Sequence, residues 1–492
     1  MKALFVYPEF PDTYWSFRHA LTFEGKRSAF PPLGLLTVSA MLPESWERRL
    51  VDMNVTMLRD SDIEWADVVF TSAMIIQRES LERVVNLCKE RGKRVVVGGP
   101  YVSTSAEHLP EADHIFIGEA ETTLPEFLRD LENGVARHTY QASEKPALTE
   151  TPVPHFRLAD LKQYSAMSIQ YSRGCPFQCE FCDIIEIYGR VPRTKTNEQM
   201  ISELDALRAL GWRGLVFIVD DNFIGNKRNV KKLLPALVEW SERNEFPFSF
   251  LTEASVNLAE DDALLEMMKQ ANFRRVFLGI ETPVEESLKE AQKGQNTRRD
   301  LLESVRKIQG YGMEVMAGFI VGFDNDPEDI FERQIRFIQE SAIPLAMVGL
   351  LTALPDTQLW RRLEREGRLL EESSGNNTDG SLNFIPRMDT ARLIEGYKNI
   401  LRTIYSPTEY YRRALDCLSH MRRDKPEPRR AGFISDVAAF LRVTLTLGVL
   451  DPARREFWRY LRRAFASHRP NFNHAVTLAA MGYHFRKVTE GV

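Results

Sequence analysis

Three of the chain's five cysteines, Cys175, Cys179 and Cys182, fall within eight consecutive positions of a 492-residue sequence. They stand at CxxxCxxC spacing directly after the alternating segment 167–171, which reads as a β-strand. Thiolates are soft, polarizable ligands suited to iron-sulfur clusters. A loop tied by Gly174 and Pro176 can fold three of them around one face of a cube, leaving the fourth iron open. A structural zinc site usually draws four ligands from two separated pairs, and no second Cys or Cys/His pair stands at suitable spacing. Three buried free thiols are the bland alternative. The scarcity of cysteine elsewhere and the Gly and Pro in the loop weigh against it.

The length predicts two or three domains. Hydrophobic content of 43% and charged content of 27% are ordinary for a folded soluble chain. The apolar run at the N-terminus is stopped by Pro8 and reads as a first strand, not a targeting segment. Few cysteines, most of them in one loop, predict a reducing, cytoplasmic setting. The formal charge of -5 is unevenly spread: residues 401–492 carry 17 Lys and Arg against 8 Asp and Glu, or +9, leaving -14 for residues 1–400.

Residues 1–140 alternate short apolar runs with helical stretches, the pattern of a doubly wound parallel sheet with ligands at the carboxyl ends of its strands. Three such ends carry small or hydroxyl residues: Thr71-Ser72, Gly98-Gly99-Pro100, and Gly118-Glu119. Residues 141–166 read as an extended, proline-bearing linker. From 167 to 357 six further strand and helix units predict a partial (β/α)6 barrel, with function at the strand ends. Asp220-Asp221-Asn222, Glu253 with Ser255, Glu281, and the Gly318–Gly322 stretch occupy those ends; a strand-end acid that only caps the next helix is the plain alternative for each carboxylate.

With an aromatic, Phe181, before the last cysteine, the cysteine loop resembles the signature of radical S-adenosylmethionine (SAM) enzymes. The resemblance implies a [4Fe-4S] cluster on Cys175, Cys179 and Cys182, SAM on its open iron, and SAM contacts by Phe181, Asp220 or Asp221, Glu253, Ser255 and Glu281, with Gly318 and Ile320 beside adenine. Asp220-Asp221-Asn222 replaces the family's more common Gly-Gly-Glu. The ordered set Phe30-Pro31-Pro32-Leu33-Gly34, Gly98-Gly99-Pro100 and Gly118-Glu119-Ala120-Glu121 is similar to the cobalamin-binding domain that precedes the barrel in one subgroup. That likeness implies cobalamin held by Thr71, Ser72, Gly98, Gly99, Pro100 and Glu119, and no DxHxxG motif supplies a histidine to cobalt. The implied activity is methyl transfer to an unactivated carbon, in the branch that includes hopanoid C-2 methylase, with a flavodoxin or ferredoxin as electron donor. Radical ring closure or carbon–carbon coupling without methyl transfer is the second reading, and a cobalamin- or redox-sensing binding protein the third; acids on several barrel strands stand against the last.

Residues 358–492 read as a helical extension. Arg454, Arg455, Arg459, Arg462 and Arg463 interleave with Phe457, Trp458, Tyr460, Leu461 and Phe465. This basic amphipathic helix either lies on an anionic membrane or packs on the barrel with its arginines in water. Its possible membrane use favours an apolar, lipid-like substrate, and no recognised motif supports nucleic-acid binding. The segment Ser373–Gly380 of small polar residues is expected to be a loop over the active site.

Overall fold

The computed structural model describes residues 1–376, 378, 380–421 and 433–492. Six parallel strands open the chain: β1 Lys2–Tyr7, β2 Glu47–Asp52, β3 Val68–Ser72, β4 Arg94–Gly98, β5 His114–Ile117 and β6 Thr139–Gln141, ordered β2-β1-β3-β4-β5-β6. Buried strands β3 and β4 are near-continuous Val and Phe runs because helices cover both faces. The Arg78–Glu90 helix shows the matching pattern, burying Leu81, Val84, Val85 and Cys88 at helical spacing. The strand order reverses at β1, with β2 on one side and β3 on the other, which opens a crevice at the carboxyl ends of β1 and β3.

The predicted linker is not loose. Short turns at Leu148–Glu150, Phe156–Leu158 and Leu161–Gln163 pack it down, and buried Tyr164 donates its hydroxyl to Asp52 at 2.9 Å.

The second sheet holds β7 Met167–Ile169, β10 Gly214–Ile218, β11 Phe248–Ala254, β12 Phe273–Glu281, β13 Glu314–Val321 and β14 Leu345–Leu350, all parallel in the order β14-β13-β12-β11-β10-β7. It is the predicted six-stranded partial barrel. Between β7 and β10 lie two short strands, β8 Ser172–Arg173 and β9 Arg193–Thr194, which pair antiparallel and frame the cysteine loop.

Helices then cover the barrel's flank: Thr390–Ile404, Pro407–His420, Phe433–Leu445, Arg454–Ser467 and Phe472–Glu490. Within the Arg454–Ser467 helix Phe457, Tyr460, Leu461 and Ala464 are buried while the arginines stay exposed, so one face is packed as the snorkelling alternative expected. No described helix is long and apolar enough to cross a membrane. The segment after β1 turns back over the barrel mouth: Tyr14 donates to the Val348 carbonyl at 3.3 Å, and its ring stacks on Phe485 of the last helix at 5.1 Å.

Candidate active site

The cysteine loop is held by its own backbone chemistry. Gly174 sits at φ +94°, and a Cβ there would stand 2.8 Å from the Gly189 carbonyl oxygen, so only glycine fits. The Cys175 amide donates to that same carbonyl at 3.2 Å, the Glu180 amide to Ala291 at 3.0 Å, and the Glu180 carbonyl accepts from Leu359 at 2.9 Å. The Glu180 carboxylate pairs with Arg362, which also grips Asp324 at 2.9 Å. A loop fixed at three places presents its thiols without an ordering cost at the moment of binding.

The thiols share one neighbourhood. Burial, and then the nearby Asp183 and Cys179, hold the Cys182 thiol well above its usual range, and burial likewise raises Cys175. Positive iron charge would reverse this and make thiolates the stable form. The side chains of Asn222 and Gln295 point N–H groups at sulfur: Asn222 Nδ2 lies 3.8 Å from Cys175 Sγ, and Gln295 Nε2 lies 3.4 Å from Cys179 Sγ. Amide donors at sulfur suit a cluster, whose potential they raise. Among the described residues no three His, Cys, Asp or Glu side chains close on one ion-sized point.

The two adjacent aspartates do different work. Asp220 is fully buried, and its oxygens accept from the Tyr171 amide at 2.7 Å, the Ser172 amide at 2.8 Å and the Ser172 hydroxyl at 2.6 Å. Its carboxylate ties the end of β10 to the strand that leads into the cysteine loop, and it is not among the residues that line the cavity. Asp221 faces the cavity with Oδ2 buried and unpartnered. Burial, with Asp220 and Asp183 adding repulsion, pushes Asp221 up to about 7. Glu253, on the same cavity wall, is raised to about 8 by burial and then by Asp221 and Asp220. A set of acids this short of counter-charge fits a cationic ligand such as the SAM amino group.

Ser255 faces this set through Asn222. Its amide donates to Asn222 Oδ1 at 3.2 Å and its hydroxyl to Asn257 Oδ1 at 2.7 Å. Glu281, at φ +63°, pairs with buried Lys293. Burial opposes the Lys293 charge, yet Glu281 and Cys179 prevail and raise it. Lys293 Nζ also lies 5.7 Å from the Phe181 ring, which places Phe181, Glu281 and Lys293 together beside the cluster loop. Gly318 lies against Phe277, where a Cβ would stand 3.2 Å from the ring, and the Ile320 carbonyl accepts from Gln334 at 3.0 Å.

Between the two sheets lies a cavity of about 820 Å³. Thr71, Ser72, Gly98, Gly99, Pro100 and Glu119 line it from the first sheet; Ser168, Asp221 and Glu253 line it from the barrel; Gly375 and Thr378 of the predicted covering loop close it. Asn377 and Asp379 of that loop lie outside the described residues. Thr71 Oγ1 is buried with no partner, and Gly99 sits at φ +100° with a would-be Cβ only 2.3 Å from Ser72 Oγ. Gly99 is required by the close approach of Ser72 and Ala73, and the orphaned Thr71 hydroxyl beside it is free to meet a ligand at this strand end. Among the described residues no histidine lines the cavity.

Glu119 has a structural role beside its place in the cavity wall. Both of its oxygens are taken across the domain boundary, by Arg173 at 2.7 Å and by Arg193 at 2.7 and 3.0 Å, while Glu121 accepts from Arg173 at 2.8 Å and from Thr151 at 2.9 Å. These carboxylates hold the first sheet onto the residue that precedes Gly174. Arg173, Arg193, Lys293 and Gln295 carry no functional signal in the sequence, and Asn222 stands there only as the last member of the Asp220-Asp221-Asn222 stretch.

A crevice of small residues facing a barrel mouth with three clustered thiols defines a two-part cobalamin and radical SAM architecture. Residues 27–128 match the family described as "B12 binding domain", 169–338 the "Radical SAM superfamily", and 357–492 a "Domain of unknown function (DUF4070)". Across 94% of this chain and 89% of the relative, the sequence is 36% identical to the hopanoid C-2 methylase of Rhodopseudomonas palustris. It is 44% identical to an uncharacterized methyltransferase of Synechocystis sp., covering 100% of this chain and 92% of that one. The structure of the radical SAM methyltransferase TsrM from Kitasatospora setae, with cobalamin and [4Fe-4S] cluster bound, superposes with a TM-score of 0.65 over 99% of both chains at 14% identity. The chain belongs to the cobalamin-dependent radical SAM methylases.

Proposed function

We propose that this methylase acts on an unactivated carbon of an apolar, lipid-like small molecule, with a flavodoxin or ferredoxin supplying electrons. The observation that carries the substrate class is the floor of the cavity. There Trp15, Phe30 and Phe217 line the space below the cobalamin-facing strand ends, with Trp15 and Phe217 stacked in parallel at 6.1 Å and Phe30 against Phe217 at 5.2 Å. Such an aromatic surface gains its binding free energy from apolar area.

When bound, cluster, SAM and cobalamin together supply a hydrogen-abstracting radical and a transferable methyl group. The chain's part is positional. Cys175, Cys179 and Cys182 would hold the cluster, and Asp221 and Glu253 would draw the cationic end of SAM toward it. Thr71, Ser72, Gly98, Gly99 and Pro100 would seat cobalamin on the opposite wall. The aromatic floor would place substrate between the two walls and keep water away from the reacting carbon. The hopanoid C-2 methylase and the bacteriochlorophyllide d C-12(1)-methyltransferase of Chlorobaculum tepidum carry apolar substrates in their names, which supports the same class here.

The test is anaerobic reconstitution with cluster and cobalamin, followed by incubation with SAM, reductant and polycyclic lipid extracts. Product heavier by one methylene unit, appearing with 5'-deoxyadenosine, is expected; Cys182→Ala should lose both the cluster's visible absorbance and SAM cleavage. Methylation confined to a small polar acceptor would overturn the substrate class.

A further inference from the structure

Nearly half of the large exposed apolar side chains among the described residues fall within residues 437–465. Single exposed apolar residues need no explanation, but a contiguous group does. Phe440, Leu441 and Leu445 follow helical spacing along the Phe433–Leu445 helix, Leu450 ends the turn after it, and Trp458 and Phe465 continue from the next helix, with exposures of 36 to 69%. They form one ridge. Phe440 and Phe465 both touch Phe472, at 6.4 and 5.5 Å between rings, and Trp458 donates its indole N–H to the Gly448 carbonyl at 2.9 Å.

Exposed Arg455, Arg459, Arg462 and Arg463 stand on the same helix as Trp458 and Phe465. The acids nearby in sequence are few, and one of them, Asp451, is already paired with Arg486. Residues 422–432, which precede the ridge in sequence, hold five cations against two acids and no Val, Leu, Ile, Met or aromatic residue. An apolar ridge flanked by arginines and carrying a fixed tryptophan has the chemistry of an interfacial membrane segment.

The ridge also lies next to the way into the cavity. The Phe433–Leu445 helix packs on the Arg18–Glu24 helix, and Arg442 donates to the Phe23 carbonyl at 3.0 Å. Exposed Asp12, Arg18 and Arg27, before and around that N-terminal helix, form part of the cavity rim. We infer that the 437–465 ridge docks the protein on an anionic lipid surface, with the cavity rim turned to that surface so that an apolar substrate passes from bilayer to cavity. The inference rests on the proposed substrate class for its use, and on the ridge alone for its existence.

The experiment is cosedimentation of the full, reconstituted chain with vesicles of phosphatidylcholine plus phosphatidylglycerol, against vesicles of phosphatidylcholine alone. Binding is expected only to the anionic vesicles and should weaken with salt. Leu441→Glu with Leu445→Glu, and separately Arg455→Glu with Arg459→Glu and Arg463→Glu, should each lower partitioning about tenfold or more. These positions are exposed, and unchanged SAM cleavage in detergent solution verifies that the variants are folded. Quenching of Trp458 by bromine-labelled lipid, lost in Trp458→Phe, places the ridge at the acyl boundary. No binding to anionic vesicles overturns the inference, as does binding that both variant sets leave intact. A wild-type dimer that the Leu→Glu pair converts to monomer, without vesicle binding, overturns it in favour of a second copy of the chain. Vesicle binding combined with no methylated product from the polycyclic lipid extracts would instead refute the substrate class and leave the docking surface standing.

Discussion

Asp220 and Asp221 are neighbours in sequence, yet their chemistry diverges because three donors meet the first while none meets Oδ2 of the second. The consequence is measurable in the cofactor-free protein. Asp221 at about 7 and Glu253 at about 8 stand above their ordinary values of 3.8 and 4.5, so the folded state holds protons that the unfolded chain has released. Their contribution to stability is fully present below the ordinary values and is lost as pH rises through about 7 to 8. Thermal unfolding of the cofactor-free chain should therefore shift downward between about pH 5 and pH 8, and Asp221→Asn with Glu253→Gln should flatten that fall. SAM should restore stability most at the alkaline end, where the acids are charged. From sequence the thiols and the glycines Gly99 and Gly174 were legible, because spacing and backbone freedom are local. Which of two adjacent acids faces the cavity was not, since only the fold brings Tyr171 and Ser172 to Asp220.

At the scale of elements, the alternation of apolar runs and helices disclosed both sheets, and hydroxyls and glycines at strand ends disclosed where ligands belong. The sequence reading passed over β2, whose Glu47–Asp52 stretch exposes Glu47 and Arg49 and buries mainly its last residues, and β6, three residues long. Edge strands carry charge and stay short, which erases the apolar signature. Pairing between distant elements was equally hidden: nothing local links Glu119 to Arg173 and Arg193. Those side chains are almost fully enclosed, with Glu119 at 2%, Arg173 at 11% and Arg193 at 17% exposure. Removing one partner from such a network strands the others, at a cost of roughly 3 kcal/mol. Glu119→Gln should accordingly lower the denaturation midpoint and split unfolding into two transitions as the sheets uncouple, whereas a role confined to cobalamin would leave the cofactor-free curve unchanged.

Over the whole molecule, the domains meet at a shared cavity, and residues far apart along the chain close it. The first segment after β1 and the final helix are bound to each other: Tyr14 stacks on Phe485, and His484 Nε2 lies 3.1 Å from the Tyr14 carbonyl oxygen. A chain ended at residue 471 should leave this segment open to proteolysis around Tyr14, while the two sheets remain resistant; equal resistance in both forms would refute the coupling. Synthesis delivers the N-terminal segment 470 residues before the histidine that holds it. Until that helix exists the stretch after β1 has no latch, and its ordering is a late event in folding.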